Sequence, residues 1–134
     1  MNEMASKMLY YLAAEEDHWL DELLDYFPIM NATVPTKKSL QMIEEQLKAG
    51  EITQSVLVIN VSGLEDRLST LLEECQELEH VQKQPLYLVG IKEGEEEQWR
   101  NNYPQAKIVA ITGFLVEFDF EAVCREIEAD LGGK

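Results

Sequence analysis

The polar residues best placed to do chemistry lie in three short stretches, each directly after an apolar run. Asn60, Ser62 and Gly63 follow "SVLVI", Lys92 follows "PLYLVGI", and Thr112 and Gly113 follow "KIVAI". If each run is a parallel strand, all three stretches meet in the crevice at the carboxyl ends of the sheet, where such folds hold their ligands. A helix opening near Gly63 would also aim free backbone N–H groups at an anion beside Ser62. Against a phosphate loop, "NVSGLED" has one glycine and no lysine, and Glu65 and Asp66 follow at once. Ser62 with Glu65 three residues later reads better as a capping box.

Group-transfer chemistry fares no better. Cysteine-based phosphocarriers place a thiol in the first strand-to-helix loop, and here that loop holds Ser62. Receiver-type phosphotransfer needs an aspartate at the end of a central strand, and Asn60 stands there instead. His18 and Glu22 are four apart, and Asp17, Asp21 and Asp25 form a stripe, but no HExxH-type spacing accompanies them and His80 is remote. The stripe reads as a solvated helix face. No catalytic residue, metal ligand or cofactor is expected, and the balance is against an enzyme.

Charge narrows the partners further. The 134 residues carry 26 Asp and Glu against 11 Lys and Arg, a net charge of -15. Such a surface repels a phosphate backbone, so nucleic acid and anionic membrane are disfavoured; the acids either keep the protein soluble or meet a basic protein partner. Cys75 and Cys124 lack CxxC spacing and fall on apolar helix sides, as buried free thiols do. The start, "MNEMASKM", has no secretory pattern, and no apolar segment approaches the roughly 20 residues needed to span a bilayer. A cytoplasmic protein is expected, and the sequons at Asn31 and Asn60 read as coincidences.

The elements needed to position these residues fall into two blocks. In residues 1–52, Met4, Met8, Leu9, Tyr11 and Leu12, then Trp19, Leu20, Leu23, Leu24 and Phe27, recur at helical spacing. "PIMNATVPT" reads as a connection, and Thr36 as the N-cap of a helix that Gly50 closes. This predicts a two- to three-helix N-terminal segment for packing or dimerisation, or a winged-helix-like unit with Lys37 and Lys38 near the start of its later helix.

Residues 53–134 read as an α/β domain in the order βαβαβ(β)α, with a small three- to four-stranded, mainly parallel sheet and flanking helices. Its strands are "SVLVINV", "PLYLVGI" and "KIVAIT"; its last helix starts after Asp119, with Ala122, Val123, Ile127 and Leu131 inward. "FLVEFDF" alternates Phe114, Val116, Phe118 and Phe120 with Leu115, Glu117 and Asp119, which suits an edge strand or extended loop.

The expected function is therefore a non-enzymatic accessory, adaptor or regulatory domain acting through protein contact, as a homodimer. Phe114, Val116 and Phe118 offer an apolar contact, and Trp99 and Tyr103, beside the acids of "EGEEEQWR", offer a landing site for a basic partner. One alternative is a small-molecule sensor or enzyme using Asn60, Ser62, Gly63, Lys92, Thr112 and Gly113. The other is a transcriptional regulator that binds DNA through a helix-turn-helix-like N-terminal half.

Overall fold

The computed structural model describes residues 7–14, 18–27, 30–50, 52–62, 64, 67–92, 94–110 and 119–131. Strands and helices alternate through the chain: β1 (Lys7–Leu12), α1 (His18–Tyr26), β2 (Met30–Thr33), α2 (Lys37–Lys48), β3 (Gln54–Asn60), α3 (Leu68–Glu77), β4 (Leu86–Ile91), α4 (Glu96–Asn102), β5 (Lys107–Ala110) and α5 (Phe120–Asp130). A short 3₁₀ turn, Val81–Lys83, leads from α3 into β4. The five strands form one parallel sheet in the order β2-β1-β3-β4-β5, the flavodoxin-like order of doubly wound sheets.

The α/β reading from sequence holds, with corrections in the first third of the chain. "KMLYYL" is the interior strand β1 where a helix is expected. Leu9 to Leu12 are all buried, Leu9 and Tyr11 on one side of the sheet and Tyr10 and Leu12 on the other. A strand covered on both faces loses its alternation, and a short apolar run then matches helical spacing equally well. The expected connection 28–36 contains β2, an edge strand that is only half-buried and so carries little apolar signal. Among the described residues the sheet therefore has five strands where three or four are expected, and the N-terminal segment contributes two of them.

Two packed layers flank the sheet. On one face Trp19 and Leu23 of α1, Phe27 just after it, and Cys124 and Ile127 of α5 cover Leu9, Tyr11, Val56, Val58, Tyr87 and Val89. Leu40, Ile43 and Leu47 of α2 and Leu68, Leu71, Leu72 and Cys75 of α3 cover the other. Trp19 meets Phe120 edge-on at 4.8 Å, joining α1 to the start of α5.

Local chemistry ends the helices much as the sequence predicts. Thr36 Oγ1 accepts from the Ser39 N–H, Asp119 Oδ1 accepts from the Ala122 N–H, and Gly50 follows α2 at φ +84°. On α5 the inward positions are Cys124 and Ile127, with Leu131 just beyond; Val123 is half-buried, and Ala122, expected inward, is exposed. No helix among the described residues is long and apolar enough to cross a membrane.

Candidate functional site

The strand order reverses between β1 and β3, so the crevice of this sheet lies beyond Leu12 and Asn60. Tyr11 is in register with Val58 on the neighbouring strand. Asn60, two residues further along β3, faces the same side of the sheet, which brings the long tyrosine side chain within reach of it. Asn60 Nδ2 donates to the Tyr11 hydroxyl at 3.1 Å. Asn60 Oδ1 accepts from the Ser62 backbone N–H at 3.0 Å, closing an Asx turn that steers the chain off the strand. Only 4% of Asn60 is exposed.

The third wall of this arrangement is Gly90. It lies in β4 at φ +83°, where the β4–β5 register shifts, and a Cβ on it would sit 2.2 Å from Asn60 Oδ1. Only glycine combines that dihedral with that approach. The amide is thus held between a phenol, a backbone N–H and a bare stretch of backbone. None of these groups is an acid, a base or a nucleophile at neutral pH.

Of the six crevice residues expected from sequence, the structure brings Asn60 and Ser62 together through the Ser62 N–H. Lys92 is exposed on the loop after β4, and its ammonium makes no hydrogen bond or ion pair with a described residue. Gly63, Thr112 and Gly113 lie outside the described residues, as do Phe114, Val116 and Phe118 of the expected apolar contact. Ser62 does not cap a helix: α3 starts at Leu68, behind Arg67, and Leu64 fills the core between. An anion beside Ser62 would therefore lack the helix terminus that the capping and phosphate readings share.

Trp99 and Tyr103 pack ring on ring at 5.5 Å and rest half-buried against the core, while α4 itself has no fully buried residue. Lys37 and Lys38 are both exposed at the start of α2. A helix-turn-helix needs its two helices side by side, but β2 lies between α1 and α2, which cover opposite faces of the sheet.

Tyr11 and Gly90 are the site residues that the sequence reading passes over. For Gly90 a signal exists, since a glycine inside a strand pattern marks a bulge or a close backbone approach. Tyr11 is hidden in a run of large apolar residues, and only the register shows which of Tyr10 and Tyr11 faces Asn60.

Elsewhere among the described residues, both thiols, Tyr87 and Glu44 are buried or bonded within the fold. Burial, with Glu74 nearby, pushes the Cys75 thiol up to about 12, and burial, with Glu22 and Glu121, pushes Cys124 up to about 11. At the opposite end of the sheet the Tyr87 hydroxyl donates to Asp130 Oδ2 at 2.5 Å, and Lys107 Nζ donates to the same oxygen at 2.9 Å. Burial first, then that hydrogen bond, raises the phenol's pKa. Glu44 on α2 accepts from the backbone N–H groups of His80 and Val81 and pairs with His80 Nδ1 at 2.7 Å. No group of three His, Cys, Asp or Glu among the described residues could hold a metal ion.

Two open pockets border the carboxyl end of the sheet. One of about 270 Å³ lies between the starts of α2 and α3, with Lys37, Arg67 and Glu74 on its rim. The other, about 370 Å³, lies between α1 and the edge strand β2 and is lined largely by Tyr11, alanines, Leu20 and Val34. Compared with protein-family models, with curated proteins and with solved structures, the chain matches none.

Proposed function

We propose that this chain is a non-enzymatic accessory, adaptor or regulatory domain that acts through protein contact. The observation that carries the reading is the Asn60–Tyr11 hydrogen bond at the point where the strand order reverses. Doubly wound sheets place their ligand or reacting group there. Here that position is occupied by a buried amide already bonded to Tyr11 and Ser62 and closed over by Gly90. An amide neither accepts a phosphoryl group nor exchanges a proton near neutral pH. What is left for function is the outer surface of the two layers, strongly acidic and broken by a few exposed apolar side chains.

The test is an NMR titration of the full chain with nucleotides, phosphorylated sugars and acetyl phosphate with magnesium, following the Asn60 side-chain amide and the Gly90 N–H. The expected result is no shift at either, alongside cross-links from the outer helices to a protein of the host cell. Saturable shifts at Asn60 and Gly90 with any of these compounds would replace the adaptor reading with a ligand-binding one.

A further inference from the structure

We propose that the groove between α1 and β2 is the docking surface, and that its occupant is a basic protein segment that presents apolar anchors between lysines or arginines. The inference rests on the adaptor reading and names the chemistry of the partner.

The groove is mostly apolar: Tyr11, Ala13, Ala14, Leu20, Ala32 and Val34, with Thr33, line about 370 Å³. Among the described residues, two of the three exposed large apolar side chains lie at it or beside it. Val34, 51% exposed, lines the groove, and Leu24, 47% exposed, stands one helical turn from Leu20 and prolongs the same stripe of α1. β2 forms the other wall and is the edge of the sheet, with no further strand paired to it among the described residues.

The charged side chains described on α1, one wall of the groove, have one sign: Asp21, Glu22 and Asp25, all exposed. Asp21 and Asp25 are exposed on α1, each next in sequence to a leucine of the stripe. An apolar groove bordered by the acids of α1 fits a segment that alternates apolar and basic residues, because the apolar groups supply contact area while the cations match those acids. The same border argues against a second copy of this chain, which would bring another net charge of -15. It argues equally against nucleic acid and against an anionic bilayer.

The experiment is a ¹⁵N-resolved titration of the full chain with three short synthetic peptides: leucine alternating with lysine, leucine alternating with glutamate, and lysine alone. The leucine–lysine peptide is expected to bind with shifts confined to Tyr11–Ala14, Leu20–Asp25 and Ala32–Val34. Its affinity should fall about tenfold, the loss of one good anchor, in Val34→Glu and in the Asp21→Lys, Asp25→Lys double variant. Met42→Glu, which alters an exposed apolar residue on α2 across the sheet, should leave it unchanged. Circular dichroism of each variant confirms that it folds.

Equal binding of the lysine peptide, equal loss in Met42→Glu, or shifts centred on α2 or α4 would each overturn the proposal. Self-association of the unliganded protein that Val34→Glu abolishes would overturn it in favour of a second copy. In all these cases the adaptor reading stands if host-protein cross-links map to another face, and it falls only if ligands shift Asn60 and Gly90.

Discussion

Asn60 on β3 and Tyr11 on β1 share a hydrogen bond of 3.1 Å across the boundary at which the strand order reverses. The two residues are 49 positions apart, and no local feature of the chain links them. Their contact exists because β1 is threaded between β2 and β3 with Tyr11 opposite Val58. A sheet of this topology usually places its ligand at that point, and here two of its own side chains meet there.

Removing the phenol from this pair is expected to cost stability. In Tyr11→Phe the buried Asn60 amide loses an acceptor that water does not easily replace, and the penalty for such a group is about 1–3 kcal/mol. Urea denaturation should show a lower midpoint with an unchanged m-value. An unaltered midpoint would mean that the amide is readily solvated, and the crevice would then be open enough to hold a ligand.

Gly90→Ala tests the closure from the other side. Its φ of +83° alone disfavours a side chain by about 1–2 kcal/mol, and the new Cβ would lie 2.2 Å from Asn60 Oδ1. The single variant should lose more than either effect alone. Because the clash is with Asn60, the Gly90→Ala, Asn60→Ala double variant should lose less than the sum of the singles, a coupling that a double-mutant cycle reads directly. Simple additivity would show that the close approach is absent in solution.

The thiols should be silent in the folded state. With Cys75 pushed up to about 12 and Cys124 up to about 11, both are neutral and buried at pH 8. An Ellman assay on the native protein should titrate neither, and both should react once urea unfolds the chain. Reaction of one thiol under native conditions would point to local opening of α3 or α5.

Acid should weaken the link between α2 and the 3₁₀ turn before β4. Burial alone would raise the Glu44 carboxyl, but hydrogen bonds from the His80 ring and from the Val81 and His80 N–H groups, with the charge of His80, outweigh it and lower its pKa. A carboxylate whose folded pKa lies below its unfolded one contributes stability above the unfolded value. That contribution disappears as pH falls through the folded value. Glu44→Ala should therefore be less stable than the parent chain by about 1–3 kcal/mol at pH 7. The gap should narrow below the ordinary carboxylate range, as urea midpoints at successive pH values would show. A gap independent of pH would assign the loss to packing.

How much of this was legible in the chain depends on burial. Strands β3, β4 and β5 and helices α1, α2, α3 and α5 announce themselves, because an uninterrupted apolar run, a cap such as Thr36 or Asp119, or a one-sided apolar face marks each. β1 and β2 do not, for opposite reasons. "MLYYL" is buried on both faces and so has no strand period, whereas "MNAT" is an edge with too little burial to show one. Missing them hides the order of the sheet and, with it, the meeting of Tyr11 and Asn60. Asn60 and Ser62 could be nominated from sequence because they follow a visible strand. The partner that fills their crevice could not, since it arrives from β1 by register alone.

That topology also decides what the lysines at the start of α2 can do. Lys37 and Lys38 are exposed, as a recognition helix would have them. But α1 and α2 cover opposite faces of the sheet, so α1 cannot brace α2 across a duplex backbone, and Glu74 shares a pocket rim with Lys37. Two cations also gain little counterion release against a net charge of -15. A gel-shift assay at low salt, where electrostatic binding is strongest, is expected to show no complex with double-stranded DNA. A shifted band that disappears in the Lys37→Glu, Lys38→Glu double variant would reverse this conclusion and make α2 a nucleic-acid contact despite the sheet that separates it from α1.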